Sequence, residues 1–136
     1  MPIINTNAKM INLYYSSESK LGKKVYAYLN DSDKELLAID VTKTNVTGTQ
    51  WKDISEKLNI HLKDLVDISE SDINLDDVDT ANYSQDDWIK ILNKTPKVLN
   101  HPIVIHNNTY YQIKDAQEAL NFIENPSRGI DERKRQ

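Results

Sequence analysis

The chain has 136 residues, of which 38% are hydrophobic and 28% charged, and a net charge of −4. That length suits one domain with a buried core, and no apolar run approaches the roughly 20 residues of a bilayer-spanning helix. There is no cysteine, which excludes disulfides, thiolate metal sites and thiol catalysis, and the acidic balance makes no general case for nucleic acid.

Residues 1–9 read as a flexible leader without the apolar stretch of a secretory signal, so a cytoplasmic location is the expectation. "INLYY", Ile11 to Tyr15, is short and rich in β-formers, as a buried strand is. It runs into a turn that carries Ser16, Ser17 and Ser19. "SKLGKKVYAYLND" then places Leu21, Val25, Tyr28 and Leu29 on one helical stripe, with Ser19 as N-cap, because its hydroxyl accepts a free first-turn N–H. Gly22 disfavours a helix by about 1 kcal/mol relative to alanine, so its place in the first turn predicts a close approach by other backbone. "ELLAID", Glu35 to Asp40, is a second strand.

"TGTQWKDISEKLN" opens with Thr47 and Gln50 at capping-box spacing and aligns Trp51, Ile54 and Leu58 on one face. "HLKDLVD" continues as a short helix with Leu62, Leu65 and Val66 inward. From Asp64 to Asp87 the charged residues are all acidic, and the stretch Ser69–Thr80 reads as loop. "SQDDWIKILNK" begins with a second capping box, Ser84 and Asp87, and buries Trp88, Ile91 and Leu92; Pro96 ends it. "HPIVIHNNTYYQI" is a hairpin around Asn107–Asn108, residues that tolerate left-handed backbone. "KDAQEALNFIE" is a closing helix with Ala116, Leu120 and Ile123 inward. The tail from residue 125, with Arg128, Arg133, Lys134 and Arg135, reads as a flexible, solvated terminus.

Several patterns that suggest chemistry lack a necessary part. His61, His101 and His106 have no metal-ligand spacing, and no metal site is expected. Asp72, Asn74 and Asp76 begin like a calcium loop, but Asp77 stands where glycine is needed and Tyr83 where glutamate is needed. Ser19 and His101 could be neighbours, yet no G-x-S-x-G elbow is present, and a capping serine is the simpler reading. Lys20, Lys23 and Lys24 near the helix start read as exposed surface lysines rather than an anion clamp.

Three stretches together resemble the arsenate reductase/Spx-like family of thioredoxin folds: "LYYSSESKLGKKVYAYL", "DDWIKILNKTPKVLNHPIVI" and "YYQIKDAQEALNFI". The resemblance covers residues 10–124 and is most specific in "PKVLNHPIVI". It implies an α/β, thioredoxin-like domain with a mixed four-stranded sheet and a helical insert. In that family a cysteine thiolate occupies the loop position that aligns with Ser19, and Spx-type members carry a second cysteine where Gly22 stands. The family's oxyanion-binding arginines align with Asp67, His101 and Lys114. Pro102 matches the family proline, so the resemblance implies a cis His101–Pro102 bond facing the Ser16–Ser17–Ser19 turn.

Serine cannot replace thiolate in thiol–disulfide exchange, and neither histidine nor lysine reproduces the bidentate fork of a guanidinium. The expectation is a site without catalytic residues, in which Ser19, Gly22, Asp67, His101 and Lys114 are vestigial. The resemblance then implies a non-enzymatic protein-interaction or regulatory module with an unidentified protein partner, no membrane and no cofactor. The alternative is a glutathione-dependent or reductase-like oxidoreductase or transferase that works through a non-cysteine site around Ser19. In that case glutathione is the candidate cofactor.

Overall fold

The structure is a computed structural model that describes residues 10–32, 35–70 and 82–123. The expected leader and charged tail, and residues 71–81 of the acidic stretch, including Asp72, Asn74 and Asp76, lie outside those residues. Strand β1 (Met10–Tyr15) is followed by helix α1 (Lys20–Asn30) and strand β2 (Glu35–Asp40). Helix α2 (Gly48–Leu58), two short 3-10 turns (Leu62–Leu65 and Ile68–Glu70) and helix α3 (Gln85–Lys94) form the insert. A 3-10 turn at Pro96–Val98, strands β3 (Ile103–His106) and β4 (Thr109–Gln112), and a 3-10 helix (Ala116–Phe122) complete the described chain.

The sheet order is β2-β1-β3-β4. β1 runs parallel to β2, with α1 as the crossover, and antiparallel to β3, which pairs antiparallel with β4. Side-chain alternation divides β1 between two cores. Ile11 and Leu13 pack with Val104, Val25, Leu29 and Ala119 beneath α1 and the closing 3-10 helix. Tyr14 packs with Ile103, Ile105, Trp51, Ile54, Trp88 and Leu92 beneath the insert. Trp51 adds a specific tie between α2 and α3, its Nε1–H donating to Asn93 Oδ1 at 3.0 Å.

The predicted caps form. Ser19 Oγ accepts from Gly22 N, and Thr47 with Gln50 and Ser84 with Asp87 make reciprocal capping boxes. The hairpin turns on Asn107 and Asn108 at φ 54° and 65°, the left-handed pair that matches strand twist. Two helical faces differ from expectation. On α1, Tyr28 is exposed and Tyr26 stacks on Tyr15 instead, because the inward stripe runs Gly22, Val25, Tyr26, Leu29. The closing segment is a 3-10 helix, whose period of three aligns Ala116, Ala119 and Phe122; Ala116 and Ile123 pack inward as expected, and Ala119 and Phe122 stand in the core where Leu120 was expected. Among the described residues no helix is long and apolar enough to cross a membrane.

Asn12, on the insert side of β1, is only 3% exposed, between Leu37 and Ile105. Neither its Oδ1 nor its Nδ2 has a hydrogen-bond partner. A buried amide in that state costs about 1–3 kcal/mol relative to a paired one. Asn12→Leu, of similar volume, is therefore expected to stabilise the fold by about 1–2 kcal/mol in urea unfolding. A loss of stability would show that the amide has a partner of its own.

Candidate functional site

The turn between β1 and α1 is held almost entirely by its own polar groups. Ser16 is 2% exposed, and its Oγ accepts from Glu18 N at 3.2 Å. Its carbonyl accepts from Ser19 N at 3.1 Å. The Ser19 hydroxyl accepts from Gly22 N at 3.0 Å, so it caps α1. A Cβ on Gly22 would stand 2.4 Å from the Ser16 carbonyl oxygen, which is the close backbone approach that the sequence predicted.

The other anchor is Asp40, at the end of β2. Its Oδ1 accepts from Ser17 N at 3.2 Å, Thr42 N at 3.0 Å and Thr42 Oγ1 at 2.7 Å, and Ser17 Oγ lies 3.2 Å from Thr42 Oγ1. Burial pushes the Asp40 carboxyl up, but the hydrogen bonds from Ser17 and Thr42 outweigh it and hold its pKa below the ordinary value. Neither Asp40 nor Thr42 was among the residues that the sequence singled out. The available signal was an acid at a strand end with a hydroxyl residue two places on, a pattern that builds local side chain-to-backbone turns.

Register gathers the remaining positions. β1 and β3 pair as Asn12 with Ile105, Leu13 with Val104 and Tyr14 with Ile103. Carried two residues further, that register sets Tyr15 opposite Pro102 and Ser16 opposite His101. The β3–β4 register, extended by the Ile113 N–H bond to the Pro102 carbonyl at 2.8 Å, likewise sets His101 opposite Lys114. Ser16, His101 and Lys114 thus form one row across the end of three strands. Asp67 approaches from the insert, where its backbone N–H donates to the Val98 carbonyl at 2.7 Å. Its carboxylate is engaged locally, accepting from Ser69 N at 3.1 Å and Ser69 Oγ at 2.6 Å.

His101 is half-buried, and its Nδ1 has no hydrogen-bond partner. Burial lowers its pKa, and the charge of Lys114 lowers it further; Glu118 and Asp67 oppose the shift without cancelling it. Pro102 is buried beside it, but no described peptide bond is cis. The expected cis His101–Pro102 bond is therefore corrected to trans. Trans is the intrinsically favoured form of an X–Pro bond by about 0.5–1 kcal/mol, and Pro102 joins the β4 ladder through its carbonyl in that form.

No family model matches the chain, and no curated protein sequence matches it either. Solved structures do. The arsenate reductase from Vibrio cholerae superposes with a TM-score of 0.69 at 18% identity, covering 85% of this chain and 99% of that one. A Streptococcus mutans protein described as a possible arsenate reductase gives 0.63 at 20% identity, covering 82% and 98%. The fold is that of the arsenate reductases. On this arsenate-reductase fold the positions that the resemblance assigns to a thiolate and its anion clamps hold Ser19, Asp67, His101 and Lys114. Among the described residues no group of three or more histidines and carboxylates could hold a metal ion.

The chemistry of the turn is that of a built loop. The hydroxyls of Ser16 and Ser19 accept backbone N–H bonds, and that of Ser17 pairs with Thr42. No described hydrogen bond links Ser19 to an imidazole or a carboxylate that could take its proton, which is what a serine nucleophile requires.

Two measurements follow. Gly22→Ala would add helix propensity but force the Ser16 carbonyl away, so a net loss of about 1–3 kcal/mol is expected in denaturant unfolding. An unchanged or raised stability would mean that the turn yields freely. For His101, the folded pKa lies below the unfolded value, so the unfolded chain takes up the proton first. Its contribution is absent well above pH 6.5 and lowers stability as the pH falls from 6.5 through the folded value. NMR titration should place His101 below 6.5, and His101→Gln should flatten the fall in stability over that window.

Proposed function

We propose that this chain is a non-enzymatic protein-interaction or regulatory module carried on an arsenate-reductase fold. The observation that supports this most directly is the state of Ser19. At the position that the resemblance gives to a redox thiolate, a serine hydroxyl stands in its place and caps a helix. Two-electron reduction of an oxyanion through a covalent thiol adduct needs a sulfur that can then be released as a disulfide, and 136 residues supply none. The neighbouring positions point the same way. Lys114 offers a single point charge rather than a planar fork, the half-buried His101 is biased toward its neutral form, and Asp67 brings negative charge where an anion would sit.

In this reading the turn is kept for its architecture, and the module works by presenting surface to another protein. In this reading it works without a resident cofactor, and the cytoplasm is the location expected from its N-terminal sequence.

The test is a turnover assay with arsenate, glutathione and a glutaredoxin, paired with calorimetric titration of glutathione. No arsenite above the protein-free background and no heat of binding are expected, for both the parent chain and Ser19→Ala. Arsenite formation or thiol transfer that disappears in Ser19→Ala would replace this reading with the enzymatic one.

A further inference from the structure

Strand β4 ends the sheet, and its sequence leaves that edge open. The two-residue turn at Asn107–Asn108 makes His106 and Thr109 the closing pair of the hairpin. Antiparallel alternation then directs the N–H and C=O groups of residues 109, 111 and 113 toward β3, as the Ile113 bond to Pro102 shows. Those of Tyr110 and Gln112 point away from the sheet, where no strand among the described residues pairs with them. Edge strands are ordinarily protected by lysine, proline or a bulge. Between Thr109 and Ile113 there is no charged residue and no proline, and the register with β3 runs without a bulge.

A groove of about 590 Å³ follows this edge along residues 110–114, walled by Leu58 and Ile60 on the insert side and Phe122 on the other. Tyr111, 38% exposed, lies along it. Ile60 also lines an adjoining hollow of about 380 Å³, whose polar wall includes Glu56 and Asp64. Across the two hollows the carboxylates of Glu56, Asp64 and Glu118 face one cation, Lys114. The two hollows meet at Ile60: the one along the strand edge mixes apolar and polar lining, and the one on the insert side carries the carboxylates of Glu56 and Asp64.

We propose that the β4 edge accepts an extended segment of a partner protein, which pairs with the outward groups of Tyr110 and Gln112. It buries an aliphatic side chain against Leu58 and Ile60 and sets an arginine or lysine, two positions away on the same face, toward Glu56 and Asp64. The spacing follows from strand geometry, since alternate residues share a face. The surplus of carboxylates favours a basic segment over a second copy of β4, whose strand and its extension to Lys114 offer a single cation against Glu56, Asp64 and Glu118. This inference deepens the interaction-module reading and rests on it.

The probe is a fluorescent octapeptide, Thr-Val-Thr-Arg-Thr-Val-Thr-Arg, titrated onto the full chain by anisotropy. Saturable binding is expected, with amide shifts confined to residues 109–114 and 56–64. Binding should weaken by about tenfold or more when glutamate replaces both arginines, when alternate peptide nitrogens are methylated, and in the Glu56→Lys variant. The methylated peptide tests strand pairing on the unaltered protein, so the result does not depend on an edge variant that fails to fold. No binding, or binding indifferent to methylation and to charge, overturns the proposal. So does a concentration-dependent dimer in sedimentation that the peptide fails to displace. Such a failure would leave the non-enzymatic reading in place, since only turnover overturns that.

Discussion

Strand β1 is hydrogen-bonded on both edges and covered on both faces. Everything at the candidate site is positioned relative to it. The parallel edge toward β2 brings Asp40 alongside the serine turn, where its carboxylate receives Ser17 and Thr42. The antiparallel edge toward β3 brings His101 and Pro102 to the same end of the sheet. A one-residue slip in either register would turn Tyr14 out of its core and separate the serines from both partners. The site is thus a consequence of how a central strand is paired, and it assembles whether or not its residues are reactive.

That independence allows the turn to form with a serine where the resemblance places a thiolate. A thiolate in such a loop must be held reactive, with a lowered pKa and open access. A capping serine has the opposite requirement, because its oxygen is most useful when fully engaged. In this chain Ser19 holds the first turn of α1, Ser16 both receives Glu18 and presses its carbonyl against Gly22, and Ser17 is tied to Thr42. The Ser16 and Ser19 hydroxyls accept backbone N–H groups that the buried or half-buried turn would otherwise strand, and the Ser17 hydroxyl pairs with Thr42. Ser16 and Ser19 are therefore structural in a definite sense: removing either hydroxyl leaves a backbone N–H of the loop without its acceptor.

Local rules were legible where the responsible atoms are close in sequence. The caps at Ser19, Thr47 and Ser84 and the left-handed Asn107–Asn108 turn each depend on residues within about four positions of one another, and each forms. The sheet was legible through resemblance, because strand order is not encoded in any single segment. What escaped was set by long-range partners. Asp40 is bonded locally to Thr42, but its role at the turn comes from Ser17, 23 residues away. Tyr26 replaces Tyr28 on the inward stripe because Tyr15 is there to stack on, at 5.1 Å between ring centroids. The closing segment tightened to a 3-10 helix, and three-residue spacing of Ala116, Ala119 and Phe122 fits it as well as four-residue spacing would have fitted an α-helix. The proline peptide at Pro102 came out trans, and nothing local in the sequence would have told the two isomers apart.

The two ends of the sheet now carry different kinds of polarity. At the Ser16–His101–Lys114 end the polar groups are mostly engaged with each other or withheld by burial. Asp67 is closed on Ser69, and Asp40 on Ser17 and Thr42. Along β4 the situation reverses. Tyr110 donates to Asp53 at 3.2 Å, and burial followed by that carboxylate pushes its phenol up to about 12, so it remains a neutral donor fixed to α2. Gln112 donates to the Asp64 carbonyl and to Asn100 Oδ1, each at 3.2 Å, which fastens the strand to the insert from the side-chain direction. Both residues that direct backbone groups outward are thus anchored through their side chains, on an edge that no described strand pairs with. An anchored edge loses little conformational freedom when another strand is added, which is the condition under which a few backbone hydrogen bonds and one apolar contact can sustain recognition.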